Sequence, residues 1–245
     1  MIPKIIHYIW LGGKPLPEIA KKCIKSWKKY CPDYEIKRWD ESNVNIDCMP
    51  YCREAYDLQK YAFASDVLRF DILAKEGGIY LDIDVELLKP LDEFLLNDVI
   101  CGFENDSYIA PGLILGSVPN NSLIENLLDE YKDKHFALTK GMKNQETICA
   151  IFTDKLVAKG FMLNNTYQKI ENIAVYPSEY FCPKSMSDGK IYKTENTYSI
   201  HHYASTWVPK NVVFANKCKQ FIKRLLGKNI VDKLREKKKR KSQRK

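Results

Sequence analysis

Gly77-Gly78-Ile79-Tyr80-Leu81-Asp82-Ile83-Asp84-Val85-Glu86 is the stretch whose reading settles the fold. Two glycines open an apolar strand that ends in carboxylates two residues apart. Alternate side chains on a strand share a face, so Asp82 and Asp84 are expected to point one way while Leu81, Ile83 and Val85 enter a core. Like charges held side by side repel, and a shared proton or a bound cation relieves them. Clustered carboxylate oxygens suit Mn²⁺ or Mg²⁺, whose natural partner is a phosphate. The pattern therefore points to a metal–diphosphate site, with a solvated strand end as the alternative.

The preceding segment, Tyr61 to Glu76, reads as a helix stopped by Gly77. Phe63, Val67, Phe70 and Ala74 recur at helical spacing and should face a core. Asp66 and Arg69, three apart, share another face and would bring an acid and a base toward the carboxylates. A surface ion pair is the simpler reading of the same two residues.

Working outward, strand-like and helical runs alternate, which argues for an α/β layered domain. Ile5–Trp10 reads as the first strand, with a Gly12-Gly13 turn and an amphipathic helix through Ile19, Ile24 and Trp27. Tyr34–Trp39 is a second strand. Helices near 50–60 and 62–76 lead to the acidic strand. Strands near 99–103 and 111–116, helices near 121–136 and 144–158, and a β-rich stretch from 172 to 203 follow. Ligands in such sheets bind at the carboxyl ends of strands, which would bring Trp10-Leu-Gly-Gly beside the acidic pair. Trp10 offers a ring for stacking, or else is a core aromatic.

Ala64-Ser65-Asp66-x-x-Arg69 followed by Gly77-Gly-x-Tyr80-x-Asp82-x-Asp84 resembles the signature of glycosyltransferase family 32, the sugar-transferring group with a DXD motif. Its members include fungal initiating mannosyltransferases and bacterial capsule enzymes, and it is related to clostridial glucosylating toxins. Ile2 to Gly13 resembles the group's first strand and nucleotide loop, and His201-His-Tyr-Ala-Ser-Thr-Trp207 its closing loop. The resemblance spans residues 1 to about 210 and implies a single-domain GT-A fold, Rossmann-like and nucleotide-sugar binding. It further implies a retaining transferase that uses a UDP-sugar and Mn²⁺ or Mg²⁺.

By the same resemblance Trp10 stacks on uracil while the backbone of Ile9 and Gly12 reads the base edge. Asp66 and Arg69 meet the donor sugar, and Tyr80 lines the uridine pocket unless it packs on the sheet face. Asp82 meets ribose and metal-bound water, and Asp84 ligates the metal. Ser205 is implied as a hydroxyl ligand, and Trp207 as an indole donor to the departing phosphate. His202 stands five residues before Trp207, where the toxins carry a carboxylate, and imidazole ligates Mn²⁺, so His202 is the expected nitrogen ligand and His201 the structural histidine. Asn105, Asp106, Gln145 and Glu146 are the polar groups expected to meet sugar or acceptor. Glu146 is equally a first-turn helix acid, and Asp106 a turn residue.

The chain has 245 residues, 45% hydrophobic, enough for one sizeable core. No run of about eighteen apolar residues exists, and Met1-Ile-Pro-Lys lacks a signal-peptide layout. Eight scattered cysteines without a Cys-x-x-Cys pair read as reduced thiols in a cytoplasmic protein, with Cys101 and Cys149 in the core; Cys48 and Cys52 could bridge in an oxidising compartment. Much of the net charge of +8 lies at the end, where Phe214, Cys218, Phe221, Ile222, Leu225 and Leu226 fall at helical intervals among lysines and arginines.

A catalytic domain over 1–211 and a basic amphipathic tail over 212–245 are expected. The tail suits an anionic membrane surface and the acceptor would be a glycan or lipid-linked; a solvated surface helix is the alternative, and without interleaved aromatics nucleic acid is not the expected partner. Paired aspartates also serve nucleotidyltransferases and phosphohydrolases, and a non-catalytic basic protein is the rival of another class.

Overall fold

A computed structural model describes residues 1–136, 147–185 and 188–204 of the chain. By contact the chain divides into two units, residues 1–183 with 193–204, and residues 184–192 with 205–245. In the second, Ser185 N–H donates to the Lys190 carbonyl at 2.8 Å across a turn in which Gly189 takes a φ of 68°. The expected boundary at 211 lies outside the described residues, as does the whole 212–245 tail.

The first unit is built on a mixed sheet. β1 (Ile5–Ile9) is flanked by β2 (Glu35–Trp39) and β3 (Gly78–Tyr80), both parallel to it. Beyond β3 come β7 (Leu115–Ser117), β5 (Val99–Asn105), β9 (Ile173–Tyr176) and β8 (Gln168–Ile170), while β6 (Tyr108–Ile109) pairs with β5. β7 and β8 run against their neighbours, so β1, β2, β3, β5 and β9 share one direction and their carboxyl ends share one edge. A small second sheet joins β4 (Val85–Leu87) to β10 (Ser199–His201), antiparallel.

Successive residues of the central strands enter opposite cores, as the period of two requires. Tyr80, Cys101 and Leu115 join one core with α2 (Pro50–Asp57), α3 (Tyr61–Glu76), α4 (Ser122–Asp129) and α5 (Ile148–Ala158). Ile79, Ile100 and Ala174 join the other with α1 (Glu18–Tyr30) and α6 (Ser178–Phe181). The fully buried Trp27 of α1 donates its indole N–H to the Val85 carbonyl at 2.7 Å and ties β4 to the helix layer.

Three expectations are corrected in detail. The acidic segment is not strand: β3 stops at Tyr80, and Val85 N–H donates to the Asp82 carbonyl at 3.0 Å, closing a turn that carries the chain from the main sheet to the second. The strand expected at 111–116 begins only at Leu115, because the Gly112 carbonyl is turned to accept the Asp82 N–H at 3.2 Å instead of pairing in the sheet. The helix expected to 136 ends at Asp129 and continues as three-residue turns through Lys134. Cys101 is buried as expected; Cys149 is only partly so. Cys48 and Cys52 are free thiols.

Beneath the acidic turn lies His7, fully buried on β1. Its Nδ1 accepts the Trp39 indole N–H at 3.0 Å, which leaves Nε2 to donate to the Gly77 carbonyl at 2.8 Å. Gly77 takes a φ of 65° to end α3 and Gly78 a φ of 93°, where a Cβ would stand 2.6 Å from the His7 ring. Only glycine fits the join between α3 and β3.

Candidate active site

α3 buries Val67, Phe70 and Ala74 as its spacing requires, and so turns Asp66 and Arg69 toward the end of β3. Arg69 is 4% exposed. Its Nη2 donates to Asp66 Oδ1 at 2.7 Å, its Nη1 lies 3.6 Å from Asp82 Oδ1, and its guanidinium sits over the Tyr80 ring at 4.5 Å. The Tyr80 hydroxyl donates to the same Asp82 oxygen at 3.0 Å. Burial pushes the Asp66 carboxyl up to about 7; Arg69 opposes the shift and Asp82 adds to it.

The carboxylates are brought together by the turn. Gly112 makes the floor beside Asp82: a Cβ there would lie 2.2 Å from Asp82 Oδ2. Asp84, 7% exposed, accepts the Ala204 N–H at 2.7 Å and faces His201 Nε2 at 3.2 Å. Burial alone would raise the Asp84 carboxyl, but His201 and the Ala204 N–H outweigh it and hold it below the usual range. Burial likewise lowers His201, and Asp84 more than restores it, so the imidazole titrates above its ordinary value.

Asp82, Asp84 and His201 each offer a ligand atom within 4.8 Å of the others. The His201 Nδ1 is buried and without a hydrogen-bond partner. Two carboxylates and one imidazole form a donor set that fits Mn²⁺.

This arrangement corrects the assignment of the tandem histidines. β10 pairs His201 with Val85, so His201 reaches the acidic turn, and the alternating His202 ring turns away to Glu86 Oε2 at 2.7 Å, an oxygen shared with Lys22 at 2.9 Å. Spacing from Trp207 could not reveal that register.

Trp10 lies half-buried at the end of β1, its indole N–H donating to the Lys14 carbonyl at 2.5 Å. Ile9 is buried beside it, and the Gly12 N–H donates to Glu41 Oε1 at 2.5 Å under the Tyr61 ring. Tyr80 is 2% exposed and supports Arg69 and Asp82 rather than lining an open pocket, the packing alternative. Asn105 spends its side-chain oxygen on the Ser107 N–H at 2.8 Å, shaping the β5–β6 turn that exposes Asp106. Gln145, Glu146, Ser205 and Trp207 lie outside the described residues.

Two residues at the site were missed from the sequence. Glu104, at the carboxyl end of β5, accepts the Tyr203 hydroxyl at 3.1 Å. Its signal was available: a carboxylate at the end of a strand parallel to β3 falls on the same edge. The Cys149 thiol, on the first turn of α5, is pushed up to about 12 by burial, with Glu104, Asp66 and Asp82 among its charged neighbours.

A mixed α/β sheet with its acidic turn at the shared edge of the parallel strands, faced by a buried arginine, is the GT-A glycosyltransferase architecture. The solved PaToxG glycosyltransferase shares this fold at a TM-score of 0.50 and 24% identity, over 64% of this chain and 70% of that one. Residues 17–101 match the family described as "Glycosyltransferase sugar-binding region containing DXD motif".

An uncharacterized glycosyltransferase of Acanthamoeba polyphaga mimivirus is 27% identical over 247 residues, covering 91% of this chain and 92% of that protein. Inositol phosphoceramide mannosyltransferase 3 of Schizosaccharomyces pombe is 38% identical over 98 residues, which are 38% of this chain and only 27% of the yeast protein.

Proposed function

We propose that this chain is a metal-dependent, retaining glycosyltransferase that moves a hexose from a nucleotide sugar, UDP-linked by preference, to a glycan or lipid-linked acceptor, as in surface polysaccharide synthesis. The observation that carries the reading is the convergence of Asp82 and Asp84, both inside the matched sugar-binding region, with His201 from far along the chain, their ligand atoms within 4.8 Å of one another beside the buried Arg69.

Transfer requires the bond from anomeric carbon to diphosphate to break as negative charge gathers on the leaving oxygen. Asp82, Asp84 and His201 would hold Mn²⁺ or Mg²⁺, which supplies Lewis-acid neutralisation of that charge. Arg69, fixed by Asp66 and Tyr80, adds a preorganised cation whose planar fork grips phosphate or paired hydroxyls. Asp66, with its carboxyl raised to about 7, can hydrogen-bond a sugar hydroxyl in either protonation state. The half-buried Trp10 at the shared edge supports stacking on the base. Acceptor attack on the leaving-group face, with the donor β-phosphate as base, gives retention.

The name of the yeast relative, an inositol phosphoceramide mannosyltransferase, supports a lipid-linked acceptor. The basic sequence of 212–245 supports attachment to an anionic membrane from the cytoplasmic side. Liposomes with anionic lipid should retain the full chain, and removal of residues 228–245 should release it; retention on neutral vesicles alone would refute the attachment.

The reaction is tested by incubating a panel of UDP- and GDP-sugars with Mn²⁺ and measuring free nucleoside diphosphate. Slow hydrolysis of one donor by the wild type, lost in Asp84→Asn, is the expected result. Equal release by both proteins would overturn the reading.

A further inference from the structure

Tyr203 combines three features that neighbouring residues lack. It stands in the left-handed region with φ 53°, where the other described non-glycine residues are Gln59, Asn120, Asn165 and Glu171, none aromatic. A bulky side chain there is strained by about 1–2 kcal/mol and persists only where its surroundings demand it. Its hydroxyl donates to Glu104 Oε1 at 3.1 Å and lies 2.9 Å from Cys182 Sγ. Since the phenol has one proton and Glu104 only accepts, the thiol is the donor of the second bond, and the chain of bonds runs from Cys182 through Tyr203 to Glu104. One side chain thus ties the end of β10 to the end of α6 and to β5.

The left-handed turn determines what reaches Asp84. Directly after it the Ala204 N–H meets Asp84 Oδ2 at 2.7 Å, and before it the His202 N–H donates to the Asp84 carbonyl at 3.0 Å. His201 places Nε2 on Asp84, yet its Nδ1 has no hydrogen-bond partner. Histidines in metal sites usually gain their ring orientation from a hydrogen bond at the other nitrogen. Here that bond is missing, and the Tyr203 ring lies against the imidazole instead, centroids 4.3 Å apart and planes at 49°.

We infer that Tyr203 is the positioning residue of this site: its hydroxyl, latched by Glu104 and Cys182, holds the 201–204 segment so that the His201 ring and the Ala204 N–H both address Asp84. The inference rests on the divalent-cation reading above and deepens it. The latch acts before any donor arrives, so its effect belongs to cation affinity.

The test uses the full chain without nucleotide, titrated with Mn²⁺ while the electron paramagnetic resonance signal of the free ion is followed. Tyr203→Phe keeps the ring and loses the latch, and should weaken Mn²⁺ binding about tenfold, the scale of removing an outer-shell orienting group. Its metal-free melting temperature should stay near that of the wild type. Tyr203→Leu removes the ring as well and should weaken binding further. Glu104→Gln keeps an oxygen that accepts the phenol proton, and should bind Mn²⁺ nearly as the wild type does.

Wild-type affinity in both Tyr203 variants would overturn the latch while leaving the cation site standing. A loss in Tyr203→Phe matched by an equal fall in metal-free melting temperature would reduce Tyr203 to an ordinary packing residue and overturn the inference. Absence of Mn²⁺ binding by the wild type would remove the cation reading and the latch together.

Discussion

Two buried polar clusters lie on either side of the β3 join, and they are built on opposite rules. Both ring nitrogens of His7 have neutral, matched hydrogen-bond partners: the Trp39 indole N–H gives to Nδ1, and Nε2–H gives to Gly77. Around Asp82 and Asp84 the groups are charged and incompletely matched, with three carboxylates, a guanidinium and an imidazole that keeps one nitrogen unpartnered. A satisfied neutral cluster in a core stabilises the chain; gathered charge costs stability until a ligand completes it. The first should therefore answer to measurements of folding, and the second to measurements of binding and turnover.

The sharpest way to break the comparison is Asp84→Asn. Donor hydrolysis should fall about a thousandfold, the upper range for removing one preorganised electrostatic group. The metal-free melting temperature should fall only slightly, since His201 and the Ala204 N–H hold the Asp84 carboxyl below its usual range and its charge therefore favours folding at neutral pH. A fall typical of a core substitution would merge the two clusters into one structural unit.

His7→Ala comes next, with an expected loss of about 3 kcal/mol at pH 7 from two buried groups left unpaired. Turnover per folded molecule should be unchanged. Burial lowers the His7 imidazole to about 4, against about 6.5 when unfolded, so its contribution is present above pH 6.5 and disappears as pH falls toward 4. That interval corresponds to about 3 kcal/mol. Urea titrations at pH 7 and pH 5 should show the decline in the wild type and a shallower one in the variant.

Gly112→Ala sharpens the charged side of the comparison, because a Cβ would meet the Asp82 carboxylate at 2.2 Å. Displacing that group by about 1 Å should lower turnover about a hundredfold with folding cooperativity intact, as stopped-assay rates and thermal melts would reveal. The smallest effect belongs to Lys75→Ala. The Asp71–Lys75 pair lies on the same helix as Asp66–Arg69, but Lys75 is 62% exposed, and the loss should be about 0.5 kcal/mol or less by urea titration.

Helix α3 shows how far local pattern carries. Its apolar spacing, its glycine stop and the Asp66–Arg69 face were all readable, because each depends on residues within a turn or two of one another. The acidic doublet was readable as a pair but not as a turn, since the chain leaves the main sheet there to join β10, which lies more than a hundred residues later. The same distance explains the histidines: His201 and His202 are alike in sequence, and only the pairing of β10 with β4 decides which one faces Asp84. Tyr80 was legible as a neighbour of the acidic pair, whereas its place under Arg69 required the packing of α3 on β3.

The amino-acid sequence by itself determined the α/β alternation, the helix that presents an acid and a base, and the two carboxylates, because periodicity and turn chemistry act over a few residues. The tertiary structure alone decided the close approach of Gly112, the choice of His201, and the junction of Glu104, Cys182 and Tyr203. Those depend on strand register and on close packing between segments far apart along the chain, where a shift of one residue reverses every side chain.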